Sequence, residues 1–229
     1  MLARKANANA KTSGPIHKID FEFPRYFVEE RQSELGSFHQ KTMDMAAFAA
    51  TRTPIDELVK TTNFTRQDLE TLSLKFTELA QQQNDKIDRA RFRDILADTF
   101  GIDDSLLMDR VFRCFDSDAD NYISFDEFVK GMSTFLKGKF EDKAQFCFRV
   151  YDLNGDRYIS KEEMYQMLKN CLVKGTEEDE DGVKDLVDLV LKKLDEDRDG
   201  RVSEADWKSA ISKELLLLEA FGQCLPSTK

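Results

Sequence analysis

The 229-residue chain lacks most of the residues and motifs on which enzymes depend. It has two histidines, His17 and His39, so residues 40–229 hold none and imidazole acid–base chemistry is excluded from the main body. The four cysteines, Cys114, Cys147, Cys171 and Cys224, form no C-x-x-C pair, which fits reduced thiols better than a zinc site or a disulfide framework. Ten glycines build no G-x-G-x-x-G, Walker-type or G-x-S-x-G segment, so neither a nucleotide loop nor a nucleophile elbow has support. No nucleophile–base pair stands out, and the chain reads as a non-enzyme. The longest aliphatic run, Leu215 to Leu218, is far short of the roughly 20 residues that span a bilayer. Met1–Lys5 is not followed by an apolar signal segment, and Leu2 stands where a myristate acceptor needs glycine. The expectation is a soluble protein of the cytoplasm with no membrane anchor.

Proline is missing from the middle of the chain. All four lie towards the ends, at Pro15, Pro24, Pro54 and Pro226, so the long stretch between the last two can be helical almost throughout. Charge divides at the same place. Up to Pro54 there are 8 basic and 6 acidic residues, and beyond it 26 and 38, so the net charge of −10 belongs to the body. That acidity argues against a nucleic-acid partner, whose phosphates it would repel. Residues 1–60 read as an N-terminal extension whose aromatic cluster, Phe21 to Phe27, suits a docking arm.

An aliphatic residue in an acidic setting recurs at Ile87, Ile123, Ile159 and Val202. Leucine or an aromatic stands eight and eleven residues before each, three apart on one helix face, as at Phe112 and Phe115. Five residues after each comes another bulky apolar residue: Phe92, Phe128, Met164 and Trp207. The unit is helix, short loop, helix, four times over. The predicted fold is all-α, with four such units in two paired lobes, 61–138 and 139–229, the second of which includes an apolar C-terminal helix. A longer last spacing reflects an insertion holding Glu177, Glu178, Asp179, Glu180 and Asp181, read as a solvated loop.

The loops carry the chemistry. In the second, Asp116, Asp118, Asp120 and Glu127 fall at positions 1, 3, 5 and 12, with the Tyr122 carbonyl at 7 and Ser124 at 9. That is how an EF-hand surrounds Ca²⁺, a hard cation that takes six to eight oxygens. The third loop offers Asp152, Asn154, Asp156, the Tyr158 carbonyl, Ser160 and Glu163. The fourth offers Asp195, Asp197, Asp199, the Arg201 carbonyl, Ser203 and Asp206. A single acidic stretch between helices would be a solvated loop; three in phase with an apolar repeat are metal sites. Up to three Ca²⁺ ions are expected. The first repeat has Ala80, Gln82, Asn84, Asp88 and Arg91 at positions 1, 3, 5, 9 and 12 and is expected to bind none.

Position 6 needs a left-handed backbone, which costs little at Asn121, nothing at Gly200 and roughly 1–2 kcal/mol at Arg157. Asp206 is one methylene shorter than the usual Glu, which favours a smaller shell and admits Mg²⁺ at the Asp195–Asp206 loop. On these grounds the second loop is expected to be the strongest.

The segments LLMDRVFRCFDSDAD (106–120), YDLNGDRYISKEEMYQMLKNCLVK (151–174), VKDLVDLVLKKLDEDRDGRVS (183–203) and LLLLEAFGQCLP (215–226) go beyond metal chemistry. Through them the chain resembles the calaxin family, calcium sensors of ciliary outer-arm dynein, whose layout is similar to that of neuronal calcium sensors. Arg157 departs from the glycine usual in that family's third loop. The resemblance implies a silent first hand and three active ones. It implies as partners the outer-arm dynein heavy chain, docking-complex coiled coils and tubulin, and as location the axoneme of a cilium or flagellum. Two other readings share the ion chemistry: a sensor that regulates a channel or kinase, and a calcium buffer. Groove residues for a sensor would be Phe76, Phe92, Phe112, Phe128, Met132, Phe148, Met164, Met167 and Trp207, which helical spacing also marks as core. The tail from Glu214 to Leu225 either occupies the chain's own groove or packs on a partner.

Overall fold

The computed structural model of the chain describes residues 52–80, 85–102, 104–172 and 180–226. In chain order these form α1 (Ile55–Thr61), α2 (Arg66–Leu79), β1 (Ile87–Asp88), α3 (Arg89–Phe100), α4 (Ser105–Phe115), β2 (Tyr122–Ile123) and α5 (Phe125–Lys137). There follow α6 (Phe140–Tyr151), β3 (Tyr158–Ile159), α7 (Lys161–Leu172), α8 (Glu180–Leu194), β4 (Val202–Ser203), α9 (Glu204–Lys213) and a 3₁₀ turn, Leu215–Glu219.

The helices start where a side chain can satisfy the free amides of a first turn. Thr65, Ser124 and Ser203 each accept from the amide three residues on, and Asp68, Glu127 and Asp206 turn back to the cap's own amide. Asp88 and Asp104 cap α3 and α4 in the simpler way. Gly101, at φ +68, ends α3 in the left-handed turn that glycine adopts freely.

Each loop contributes a two-residue strand, and the strands pair antiparallel: Ile87 opposite Ile123, and Ile159 opposite Val202. The four residues that mark the repeat are therefore the hinges of two hand pairs, and all four are fully buried. Aromatic contacts then join the pairs into one continuous core. Within the first pair, Phe92 meets Phe115 at 4.9 Å and Phe76 meets Phe125 at 5.4 Å. Between pairs, Phe146 of α6 lies edge-on to Phe115 at 6.1 Å and Phe135 at 5.8 Å. Gly131 permits the close approach of α5 to α4, since a Cβ there would sit 2.3 Å from the Phe115 ring.

The built body reaches back past the 60/61 boundary read from the sequence. In α1, which packs on α2, Leu58 is fully buried. Arg52 pairs with Asp85, donates to Ser73 and Thr77 at 3.1 Å, and stacks over Phe125 at 4.6 Å. Residues 1–51, with the aromatic cluster of the docking arm, lie outside the described residues, as do Gln82, Asn84 and the insertion residues Glu177, Glu178 and Asp179.

The C-terminal segment differs from the apolar helix expected. Its four leucines enter a 3₁₀ turn, after which Gly222 at φ +118 bends the chain back over α6. Leu217, Phe221, Cys224 and Leu225 are buried, a spacing that one helix face would also bury; the left-handed backbone at Gly222 is what breaks the helix. The Tyr151 hydroxyl faces the carbonyls of Gly222 at 2.8 Å and Leu218 at 3.2 Å, and Phe221 lies edge-on to the Tyr151 ring at 5.1 Å. Leu215 and Leu216 stay exposed. All nine groove residues are buried, so in this conformation they act as core.

Candidate metal centres

Each loop begins at a helix C-cap and ends in the next helix's first turn. Asp116 and Asp152 cap α4 and α6, and Asp195 follows α8. Ser124 and Ser203, at position 9, are N-caps of α5 and α9. The position-12 acid is thus the third residue of the exiting helix, and the local signal that starts the helix also aims a carboxylate back into the loop.

In loop two, Asp116 accepts from the amides of Asp120 at 3.1 Å and Asn121 at 3.0 Å, and Asp120 accepts from Tyr122 at 2.8 Å. Glu127 spans the loop. One oxygen accepts from the Ser124 amide at 2.9 Å and its hydroxyl at 2.7 Å; the other accepts from Ser117 at 2.7 Å and Asp118 at 3.2 Å. Loop three repeats the plan. Asp152 accepts from Gly155 at 2.7 Å and Arg157 at 2.9 Å, Asn154 from Asp156 at 2.8 Å, and Asp156 from Tyr158 at 2.9 Å. Glu163 joins Ser160 at 2.8 Å to the Asn154 amide at 3.0 Å. In loop four, Asp195 accepts from Gly200 at 2.9 Å, Asp197 from Asp199 at 3.2 Å, and Asp199 from Arg201 at 3.0 Å. Asp206 accepts from Ser203 at 3.0 Å.

These arrangements draw hard oxygens together. The carboxylates of Asp116, Asp118 and Asp120 come within 4.8 Å of one another, as do those of Asp195, Asp197 and Asp199. Asp116, Glu127, Asp152, Glu163 and Asp206 are all buried. Burial pushes the Asp116 carboxyl above its usual pKa, with the neighbouring Glu127 and Asp120 charges adding to the effect. At Asp206 burial also pushes upward, but hydrogen bonds from Ser203 and the amides of Glu196 and Asp197 outweigh it, and the carboxyl sits below its usual value. Asp206 thereby reaches the start of its loop despite its shorter side chain. A donor set of clustered, converging oxygens fits a hard divalent cation such as Ca²⁺.

The backbone alters the strain expected from position 6. Position 4 is left-handed as well: Ala119 (φ +58) with Asn121 (+66), Gly155 (+77) with Arg157 (+70), and Arg198 (+63) with Gly200 (+92). Every loop therefore holds one residue in this region that is neither glycine nor asparagine. Strain does not rank the loops, and that ground for placing the second first falls away.

Two contacts have no counterpart in the motif. Lys86, at position 7 of the first repeat, reaches across the strand pair to Asp120, a position-5 acid of loop two. The hydrogen bond to Asp120 lifts Lys86 above its usual pKa, and its counterpart holds Asp120 below. Arg110 of α4 donates to the carbonyls of Arg149 (3.2 Å), Val150 (3.2 Å), Leu153 (3.0 Å) and Asp152 at the end of α6. A cation at a helix C-terminus is well placed for the free carbonyls, and this one ties the two hand pairs together beside loop three. The signal for Lys86 was its place beside the strand; Arg110 had none, because its partners are backbone atoms.

Cys114, Cys147 and Cys224 are free thiols. Burial pushes Cys114 up to about 11 and Cys147 well above its usual value, which favours the thiol over the thiolate in both. Among the described residues no helix is long and apolar enough to cross a membrane.

Comparison with known proteins agrees with this geometry. A model of an EF-hand domain pair matches residues 141–212, and a second EF-hand pair model matches residues 83–132. Calaxin of Xenopus laevis is 50% identical over 182 residues, spanning 76% of this chain and 86% of that protein. Calaxin of Homo sapiens is 55% identical over 145 residues, 62% of this chain and 69% of that protein. A calcineurin subunit of Schizosaccharomyces pombe is 31% identical over 158 residues, 69% of this chain and 87% of that protein.

Proposed function

The chain belongs to the calaxin family of EF-hand calcium sensors, and from that premise we propose that it is a calcium-dependent adaptor of outer-arm dynein on the axonemal doublets of a cilium or flagellum. The observation that carries the reading is half-identity to a calaxin across most of both chains, together with two loops whose carboxylates converge and a third with the same hydrogen-bond plan.

Up to three ions would be held, by the oxygens of Asp116, Asp118, Asp120 and Glu127, of Asp152, Asn154, Asp156 and Glu163, and of Asp195, Asp197, Asp199 and Asp206. The carbonyls of Tyr122, Tyr158 and Arg201 and the hydroxyls of Ser124, Ser160 and Ser203 complete the sets. Ca²⁺, when bound, supplies positive charge and six to eight coordination positions; Mg²⁺ competes at the fourth loop. The carboxylates have lone pairs enough to contact the ion while still accepting from the loop amides. Glu127 is fixed to the start of α5 and Asp116 to the end of α4, so drawing the two together changes the angle between those helices. Glu163 and Asp206 do the same in the second pair. The part of the N-terminal extension before Arg52 adds an attachment surface for docking-complex coiled coils or tubulin, and the folded-back tail is the part a partner helix displaces.

Pull-down from isolated axonemes in calcium and in chelator tests this. Retention of dynein or docking-complex proteins that changes with calcium is the expected result. Trp207 emission and hydrophobic-dye binding that ignore calcium would make the chain a buffer instead.

A further inference from the structure

Between loops two and three, the ends of α4 and α6 border a cavity of about 620 Å³. Arg113 from α4, Arg149 from α6 and Arg157 from loop three all line it and all are exposed. Among the described residues, none of the three pairs with an acid. Elsewhere on the second pair Lys161, Lys193, Lys208 and Lys213 hold carboxylates, whereas Lys192 and Arg198 hold none among the described residues, so what sets the three arginines apart is their convergence on one concavity. Acids also line the cavity, but they are engaged elsewhere. Glu204 pairs with Lys208, and Asp116 and Asp152 accept from amides of their own loops.

A guanidinium offers carboxylates a planar, two-pronged donor face, and three such groups around one concavity suit several carboxylates at once.

We propose that this cavity is a docking site for an acidic segment of a partner protein, with Arg113, Arg149 and Arg157 as the residues that take its carboxylates. In one respect the proposal rests on the metal-binding reading above. Once Asp116 and Asp152 share their charge with a divalent ion, the cavity wall loses two competing negative charges, so the acidic segment binds more tightly in calcium.

The test is the binding of a fluorescein-labelled dodecaglutamate peptide to the full chain, followed by anisotropy in calcium and in chelator. Binding should be tighter in calcium and weaken as salt rises. Arg113→Gln/Arg149→Gln/Arg157→Gln should weaken it by about tenfold or more. Lys60→Gln/Lys130→Gln/Lys192→Gln, which removes the same charge from exposed sites elsewhere, should change it less than about twofold. Arg157→Gly should weaken peptide binding while keeping or raising calcium affinity at loop three, a pair of opposite effects that misfolding cannot produce. Equal losses in the two triple variants, or polyphosphate binding where dodecaglutamate does not, would overturn the proposal. Calorimetry with calcium alone separates the two readings: no calcium heat, with peptide binding still dependent on the arginines, refutes the metal reading and leaves the arginine site standing.

Discussion

The first and second hands have the same frame and opposite chemistry. Both run helix, loop, short strand, helix, and their strands pair through Ile87 and Ile123. Both exit helices are capped at the ninth loop position, by Asp88 and Ser124. Yet position 12 is Glu127, buried and spanning its loop, in one hand and Arg91, exposed, in the other. The frame therefore does not depend on the metal chemistry. It is held by burial of Phe92 against Phe112 and Phe115, and the first hand has become a support for the second.

Removing the support should have the largest effect. Phe92 is fully buried, and Phe92→Ala should destabilise the chain by about 3–5 kcal/mol, read as a lower denaturant midpoint. A loss below about 1 kcal/mol would mean that the second hand stands alone. Next comes Glu127→Gln, which should lower calcium affinity at loop two by about ten- to a hundredfold, since a charge-assisted contact is worth about 1.5–3 kcal/mol. Arg91→Glu should add no site, because Ala80 offers no side-chain oxygen at position 1. Calorimetry that counts ions in both variants checks the pair.

A smaller effect is expected at the contact that closes the first pair, Lys137 to Asp68 at 2.7 Å. Burial alone would raise the Asp68 carboxyl, but hydrogen bonds from Lys137 and Thr65 outweigh it and hold the pKa below its usual value. A carboxyl lowered in the folded state stabilises above its unfolded pKa of about 4, and that stability is lost as pH falls through the folded value. Asp68→Asn should thus cost about 1 kcal/mol at pH 7 and progressively less in acid; a cost that ignores pH would remove the ion pair from the account. The smallest effect belongs to Lys86→Gln. Freeing Asp120 from a half-exposed lysine should raise calcium affinity at loop two by at most about fivefold, as exposed pairs contribute about 0.2–1 kcal/mol. Lower affinity would show that Lys86 positions Asp120 rather than competing for it.

The repeat was legible because burial imposes it. Ile87, Ile123, Ile159 and Val202 must all be apolar to pair inside a core, and the loop acids are fixed in number and spacing by the geometry of one turn. The left-handed residue at position 6 could be anticipated from Gly200 and Asn121. The one at position 4 could not, because Ala119 and Arg198 carry no sign of it. The tail's apolar character was plain, whereas its 3₁₀ turn and its contacts with Tyr151 had no local sign. Lys86 and Arg110 act on residues 34 and about 40 positions away, beyond the reach of any local pattern.

By itself the sequence determined four helix–loop–helix units and where the acids fall in their loops. Those properties depend on residue type and spacing within a dozen positions. Only the tertiary structure decided how the hands are coupled: a shared aromatic core, a lysine from the first hand on a loop-two acid, an arginine tying α4 to α6, and three exposed arginines around one cavity. These depend on helices that pack at angles no local pattern records, and such angles are settled only when the whole core is filled.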